Sequence, residues 1–181
     1  MKDSENQEKK ILSRIANGDQ LSMKEYLYVT KHVREGNFLV FGTGADTPYW
    51  KLVNPEVTFL EDHGEWLDRS DPKQIEVKYN TTRDLSDSLL TLYKSNLTKS
   101  LEIDIPQWVR DTKWDNIFVD GPQGYNDKKP GRMQSLYTAK QLANSDTNIF
   151  VHDAFRHVES TWVDALFTVK NQFDRMKHCK I

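Results

Sequence analysis

At 181 residues, with a formal net charge of −2 and 37% hydrophobic residues, the chain is long enough to bury one core and offers nucleic acid no basic face. The single Cys179 excludes an internal disulfide framework and cysteine-rich zinc sites. No apolar run approaches membrane-spanning length and Met1–Lys10 lacks a signal peptide's apolar stretch, so the expectation is a cytoplasmic protein with no membrane and no nucleic-acid partner.

Residues 1–20 read as a flexible leader with a short helix over Lys10–Ile15 that ends at Asn17-Gly18, and residues 21–181 as a single domain. Ser22-Met23-Lys24-Glu25 is a capping-box pattern, with Leu21 and Tyr26 spaced for a hydrophobic staple. The helix it opens runs to about Glu35 and covers the sheet with Tyr26, Val29 and Val33. Asn37–Phe41 is an unbroken strand-forming run, read as a strand buried on both faces. It enters Gly42-Thr43-Gly44, where missing Cβ atoms allow a sharp turn and close approach of a ligand. Thr47, alone or with Asp46, is placed to cap a helix with Pro48 in its first turn, running to Val53.

Val57–Leu60 is the second strand and ends in Glu61-Asp62; Gly64–Arg69 is predicted helical, and Ile75–Tyr79 alternates as a third, less buried strand. Leu85, Leu89 and Leu92 space a helix over Asp84–Ser95, and Leu101, Ile103 and Ile105 alternate as a short extended piece. Trp114–Val119 is the fourth strand, leading into Asp120-Gly121-Pro122. The polar loop Gln123–Pro130 precedes a helix over Gly131–Ala143. Asn148–Val151, ending in His152-Asp153, is the fifth strand; a helix over Arg156–Leu166 follows, and Phe167–Ile181 returns as a pair of strands.

Strands alternating with helices predict an α/β fold with a mostly parallel sheet flanked by helices, whose ligands bind at the carboxyl ends of the strands. Gly42, Gly44, Glu61, Asp120, His152 and Asp153 all fall at that edge. Glu61 can accept hydrogen bonds from the ribose hydroxyls of an adenosine-containing cofactor, or be a plain strand-end acid. Asp46 either bonds the cofactor or caps its helix. Asp120 and Asp153 can be oxygen ligands for a divalent cation with His152 as third ligand or base, or helix-capping acids. His157 is the other candidate base, Arg132 a candidate anion holder, and Trp50 a pocket-lining residue. The other tryptophans, Trp66 included, are read as core. A dinucleotide fingerprint would need a third glycine where Thr47 stands, which counts against a nicotinamide oxidoreductase.

Five blocks in this order resemble one known family: Asn37–Thr47, Thr58–Asp62, Trp114–Tyr125, Pro130–Met133 and Phe150–Glu159. They are similar to the plant polysaccharide-biosynthesis family that contains the glucuronoxylan 4-O-methyltransferases and the irregular-xylem proteins. The resemblance implies a Rossmann-like S-adenosylmethionine-dependent methyltransferase fold, with a sugar hydroxyl of a glycan as acceptor. By position it implies a cofactor loop of Gly42, Thr43, Gly44 and Asp46, a ribose contact at Glu61, and Asp120, His152 and Asp153 around the transferred methyl, where Asp120 would touch both cofactor and reacting atoms. It further implies a divalent cation, Mg or Mn, on Asp120 and Asp153 with His152, and a proton acceptor at His152 or His157. Tyr125, Arg132 and Trp50 are then the acceptor-side candidates. The family signature carries histidine where this chain has Ala45 and arginine where it has Gln123, and the second departure argues against glucuronate as acceptor. A non-catalytic glycan-binding or glycan-assembly protein on the same fold is the second reading.

Overall fold

The computed structural model describes residues 2–16 and 21–181, so the readings that fall on Met1 and on Asn17-Gly18 lie outside the described residues. Helix α1 spans Lys2–Ile15, beginning well before the expected Lys10. Local sequence could not show why: Leu12 and Ile15 are buried, and Glu8 accepts two hydrogen bonds (3.0 and 2.7 Å) from Arg34, far along the chain.

Helix α2 (Met23–Val33) opens with the predicted capping box: Ser22 Oγ accepts from the Glu25 amide (3.3 Å) and Glu25 Oε2 accepts from the Ser22 amide (2.8 Å). The chain then alternates through β1 (Phe38–Phe41), α3 (Thr47–Val53), β2 (Thr58–Glu61), β3 (Gln74–Glu76), α4 (Ser86–Lys94), α5 (Gln107–Asp111), β4 (Asn116–Val119), α6 (Met133–Leu142), β5 (Asn148–His152) and α7 (His157–Leu166). The hairpin β6 (Thr168–Gln172) and β7 (Met176–Lys180) closes it, as the tail predicted.

The sheet order is β3-β2-β1-β4-β5-β7-β6, parallel except that β7 runs against both β5 and β6. Alternation along β1 divides the core. Phe38 and Val40 pack with Leu12, Tyr26, Val29 and Trp50 from α1–α3, while Leu39 and Phe41 pack with Leu89, Val109, Leu136 and Trp162 from α4–α7. Both faces being covered explains why β1, β2 and β4 are buried at every position. This is the Rossmann-like arrangement, and the strand order reverses between β1 and β4, the switch point where such sheets open a crevice.

One expectation is corrected, a second is narrowed, and one helix is additional. Gly64–Arg69 is a run of turns, not a helix: the Trp66 amide bonds His63 O (2.9 Å), and Asp68 Oδ1 accepts from both the amide (3.0 Å) and the hydroxyl (2.6 Å) of Ser70. The alternating piece at Leu101, Ile103 and Ile105 joins no sheet; it leaves a 3₁₀ turn at Lys99–Leu101 and buries all three side chains against the core. Helix α5, directly after Pro106, had no counterpart in the sequence reading.

Candidate active site

The strand ends meet at two glycines. Phe41 O accepts from the amides of Asp120 (3.0 Å) and Gly121 (2.6 Å), which ties the end of β4 to the end of β1. A Cβ on Gly121 would lie 2.9 Å from Gly42 Cα, and Gly42 takes φ +105°. Only glycine fits either position.

The turn after Gly42 is fastened to β2. Thr43 donates from its amide (2.6 Å) and its hydroxyl (2.9 Å) to Glu61 Oε2, and Glu61 Oε1 accepts from the His63 amide (2.7 Å). The Gly44 amide donates to Thr47 Oγ1 (2.8 Å), so Thr47 closes the turn. Asp46 occupies the N-cap position of α3 without capping it; its Oδ2 accepts instead from Trp50 Nε1 (2.8 Å). Trp50 is therefore not a pocket wall: it is wholly buried among Tyr26, Tyr49 and Phe118 and holds Asp46 from behind. Burial, with the charge of Asp120, pushes the Asp46 carboxyl up to about 7. The Tyr26 hydroxyl, also buried and without a hydrogen bond, is pushed up by burial and by the Asp46 and Asp120 charges. Burial and Glu61 raise Asp62 as well.

Arg132 organises the ends of β4 and β5. Its guanidinium is almost wholly buried and donates to the carbonyls of His152 and Asp120 (2.6 Å to the latter), to Asp120 Oδ1 (3.2 Å) and to Asp153 Oδ2 (3.0 Å). Asp120 Oδ1 also meets His152 Nδ1 at 2.6 Å. Burial alone would raise the Asp120 carboxyl, but His152 and Arg132 hold it below the usual carboxylate range. Asp153 sits at φ +56°, a left-handed backbone that Asp tolerates, with Arg156 at 3.0 Å and Arg175 at 3.9 Å as further cations.

These elements enclose one cleft of about 390 Å³ lined by Gly42–Asp46, Glu61, Asp120, Tyr125, Arg132, His152 and Asp153, as expected. His157 does not line it and is exposed at the start of α7. Arg132 lines it but is already committed to two carboxylates and two carbonyls, so it is not a free anion holder. Trp66, Lys129 and Arg156 line it without having been expected to. Trp66 was read as core, yet it is 57% exposed; its place five residues after Glu61, in a strand-end loop, was the available signal. Arg156 follows Asp153 by three, an ion-pair spacing.

The expected metal set of Asp120, His152 and Asp153 comes together at this edge but shares its atoms with arginines. Asp120 Oδ1 is taken by Arg132 and His152, and Asp153 Oδ2 by Arg132 and Arg156, while Asp153 Oδ1 and His152 Nε2, 3.8 Å apart, are buried without a hydrogen-bond partner. Among the described residues no group of three or more His, Cys, Asp or Glu side chains is arranged to hold a metal ion. Among them, too, no helix is long and apolar enough to cross a membrane.

Comparison with known proteins places this cleft in a family context. The IRX15/IRX15L/GXM family matches residues 22–179. Arabinogalactan O-methyltransferase 1 of Arabidopsis thaliana is 31% identical over 182 residues, covering 84% of this chain and 63% of that protein. Glucuronoxylan 4-O-methyltransferase 2 of the same plant is 33% identical over 171 residues, covering 80% and 59%. The chain thus spans about three fifths of the length of these relatives. Among solved structures, the MycE methyltransferase of the mycinamycin biosynthetic pathway, in complex with Mg and SAH, aligns over 94% of this chain and 53% of its own at 11% identity, with a TM-score of 0.49.

Proposed function

This chain belongs to the IRX15/IRX15L/GXM family, and we propose that it transfers the methyl group of S-adenosylmethionine to a hydroxyl of a glycan sugar. The observation that carries the proposal is the convergence of the Gly42–Gly44 turn, Glu61 and Asp120 on one cleft at the switch point of a Rossmann-like sheet. The residues suit such a donor. Gly44 is open on its cleft side, where an added Cβ would meet nothing closer than Asp46 Oδ1 at 3.6 Å, and Glu61, which accepts three hydrogen bonds, keeps about one further lone pair. The names of the methyltransferase relatives support a sugar acceptor. Tyr125, 61% exposed on the cleft wall with Lys129 over its ring, offers a flat apolar face for a sugar ring.

When bound, S-adenosylmethionine supplies an electrophilic methyl carbon for in-line attack, and the protein's part is to align the acceptor and take its proton. Asp120 is the proton acceptor in this reading. Its Oδ1 is fixed by His152 and Arg132, and the side chain remains 22% exposed toward the cleft. A low carboxyl pKa suffices, because a hydroxyl oxygen receiving a methyl group becomes strongly acidic as the bond forms. His152 is a positioning residue, since its Nδ1 is bound to Asp120 and its Nε2 is sealed inside. A divalent cation, if one binds, would be held by Asp153 Oδ1 and His152 Nε2, the atoms of this group without a hydrogen bond, and no step is assigned to one.

The test is calorimetric titration with S-adenosylmethionine and, separately, NAD, each with and without a chelator, followed by labelled methyl transfer to glucuronoxylan and arabinogalactan fragments. Donor binding that ignores the chelator, no NAD binding, and label in a glycan are expected. Absence of donor binding overturns the proposal and puts the non-catalytic glycan-binding reading in its place.

A further inference from the structure

The cleft is lined by more acids than lysines and arginines, and Asp46, Glu61 and Asp62 are the acids with no ion pair among the described residues. Asp46 is the one of them beside the glycine turn whose carboxylate is bonded by neither amide nor hydroxyl of another residue. Arg132 is spent on Asp120 and Asp153, and Arg156 on Asp153, while Lys129 lies 5.3 Å over the Tyr125 ring. Glu61 is satisfied by two amides and a hydroxyl. Asp46, buried and lining the cleft beside the glycine turn, has the Trp50 indole N–H as its side-chain partner and no cation among the described residues. The groups facing it are Tyr26 from α2, Asp120 from the end of β4 and His152 from the end of β5. Tyr26 is neutral and Asp120 is an anion. His152 is engaged by Asp120, which its Nδ1 meets at 2.6 Å. A second anion here without a counter-charge is costly, so in the free protein the Asp46 carboxyl holds its proton up to about pH 7.

That cost reverses when a cation enters. Resting on the methyl-donor reading above, we propose that Asp46 meets the positive charge of the donor, and that donor binding releases the proton of the Asp46 carboxyl to solvent. The carboxyl O–H breaks, its electron pair stays on the carboxylate, and the new anion faces either the sulfonium or the α-ammonium of S-adenosylmethionine. The demethylated product retains only the ammonium. Asp46 is thus a residue through which the site senses the charge of its ligand, while Trp50 fixes its direction.

The experiment is isothermal titration of the whole chain with S-adenosylmethionine and with S-adenosylhomocysteine at pH 6 and pH 7.5, each in two buffers of different ionisation enthalpy. Wild-type protein is expected to bind the donor roughly tenfold more tightly at pH 7.5, as one proton lost from a group titrating near 7 requires, with heats that depend on the buffer. Asp46→Asn keeps an oxygen for Trp50 and is expected to bind more weakly at pH 7.5 and to lose the tenfold gain. Proton release with the donor alone assigns the sulfonium as partner; release with both ligands assigns the ammonium. Binding that is independent of pH, or a tenfold gain that survives in Asp46→Asn, overturns the inference and leaves the proposed function standing. No binding of either ligand at either pH overturns the function reading itself.

Discussion

Replacing Gly121 by alanine probes whether the β1 and β4 ends really approach as closely as the site requires. The added Cβ would sit 2.9 Å from Gly42 Cα, 3.1 Å from Gly42 N and 3.2 Å from Phe41 O. All three are backbone atoms of the strand end and turn, so no side chain can swing aside and the strands must part. Overpacking of this kind costs about 1–3 kcal/mol. For a domain of this size that lowers Tm by roughly 2–12 °C, at about 2–4 °C per kcal/mol. The parting also moves Thr43 off Glu61, so donor affinity falls with stability. Gly44→Ala is the control, because its Cβ meets only Asp46 Oδ1, at an ordinary 3.6 Å, and its backbone is not left-handed. It is expected to melt like the wild type and to lose affinity only because the methyl group stands where the donor lies. Differential scanning calorimetry and donor titration on both variants separate the effects. A Gly121→Ala protein with wild-type Tm and wild-type donor affinity would refute the close-approach argument.

Two further outcomes follow from charge burial. Asp153→Ala removes the carboxylate shared by Arg132, Arg156 and Arg175 and leaves the buried Arg132 with less compensation, which costs about 3–5 kcal/mol in denaturant unfolding. Asp153→Asn, whose side chain still suits the left-handed backbone, should cost less, and an alanine variant within about 1 kcal/mol of wild type would show the pair to be screened. His178 is stacked on Phe150 with Tyr28 Oη 2.9 Å from its Nδ1, and burial, with His32 and Lys180 nearby, pushes it down to about 4. Its folded pKa lies below its unfolded value, so its contribution is complete above about pH 6.5 and is lost as pH falls toward 4. Linkage caps the loss at about 3 kcal/mol, and solvent screening reduces it to about 1–2 kcal/mol. Urea unfolding of wild type and His178→Gln across that window should show the two curves converging as the pH drops, and parallel curves would remove His178 as the cause.

What the sequence could reveal tracks the range of the interaction involved. The buried run Phe38–Phe41 and the capping box at Ser22 are local patterns, and they are found where the residues put them. The acids at the ends of β2 and β4 were legible for the same reason, since a parallel sheet collects its strand ends at one edge. Pairings across the chain were not legible. Nothing near Glu8 announces Arg34, and nothing near Pro130 says that Arg132 will be buried between Asp120 and Asp153. The cation expected on those carboxylates was read from acids by type, and the guanidinium that reaches one oxygen of each from α6's cap was not legible. Trp50 and Trp66 exchanged roles because hydrophobicity is common to both, while only the fold decides that one indole meets Phe118 and the other meets solvent.

The cleft is electrically divided in a way that suits the proposed reaction. On the β1–β2 side stand Asp46, Glu61 and Asp62, which bond to amides, hydroxyls or an indole and to no arginine. On the β4–β5 side Arg132, Arg156 and Arg175 surround Asp120 and Asp153. A sulfonium donor carries its positive charge into the acidic half and loses it as the methyl group departs, so the half that favours the donor holds the neutral thioether less strongly. In the proposed reaction the acceptor oxygen would gain positive charge at the same moment, against Asp120, the partly exposed carboxylate of the arginine-rich half. Because Arg132 and His152 keep that carboxylate ionised, it is ready to take the proton when the new bond makes it acidic. Arg132 and His152 fix the carboxylate's position through Oδ1 alone, so in the proposed reaction Arg132 would serve the cleft by orienting Asp120 and need not touch the sugar.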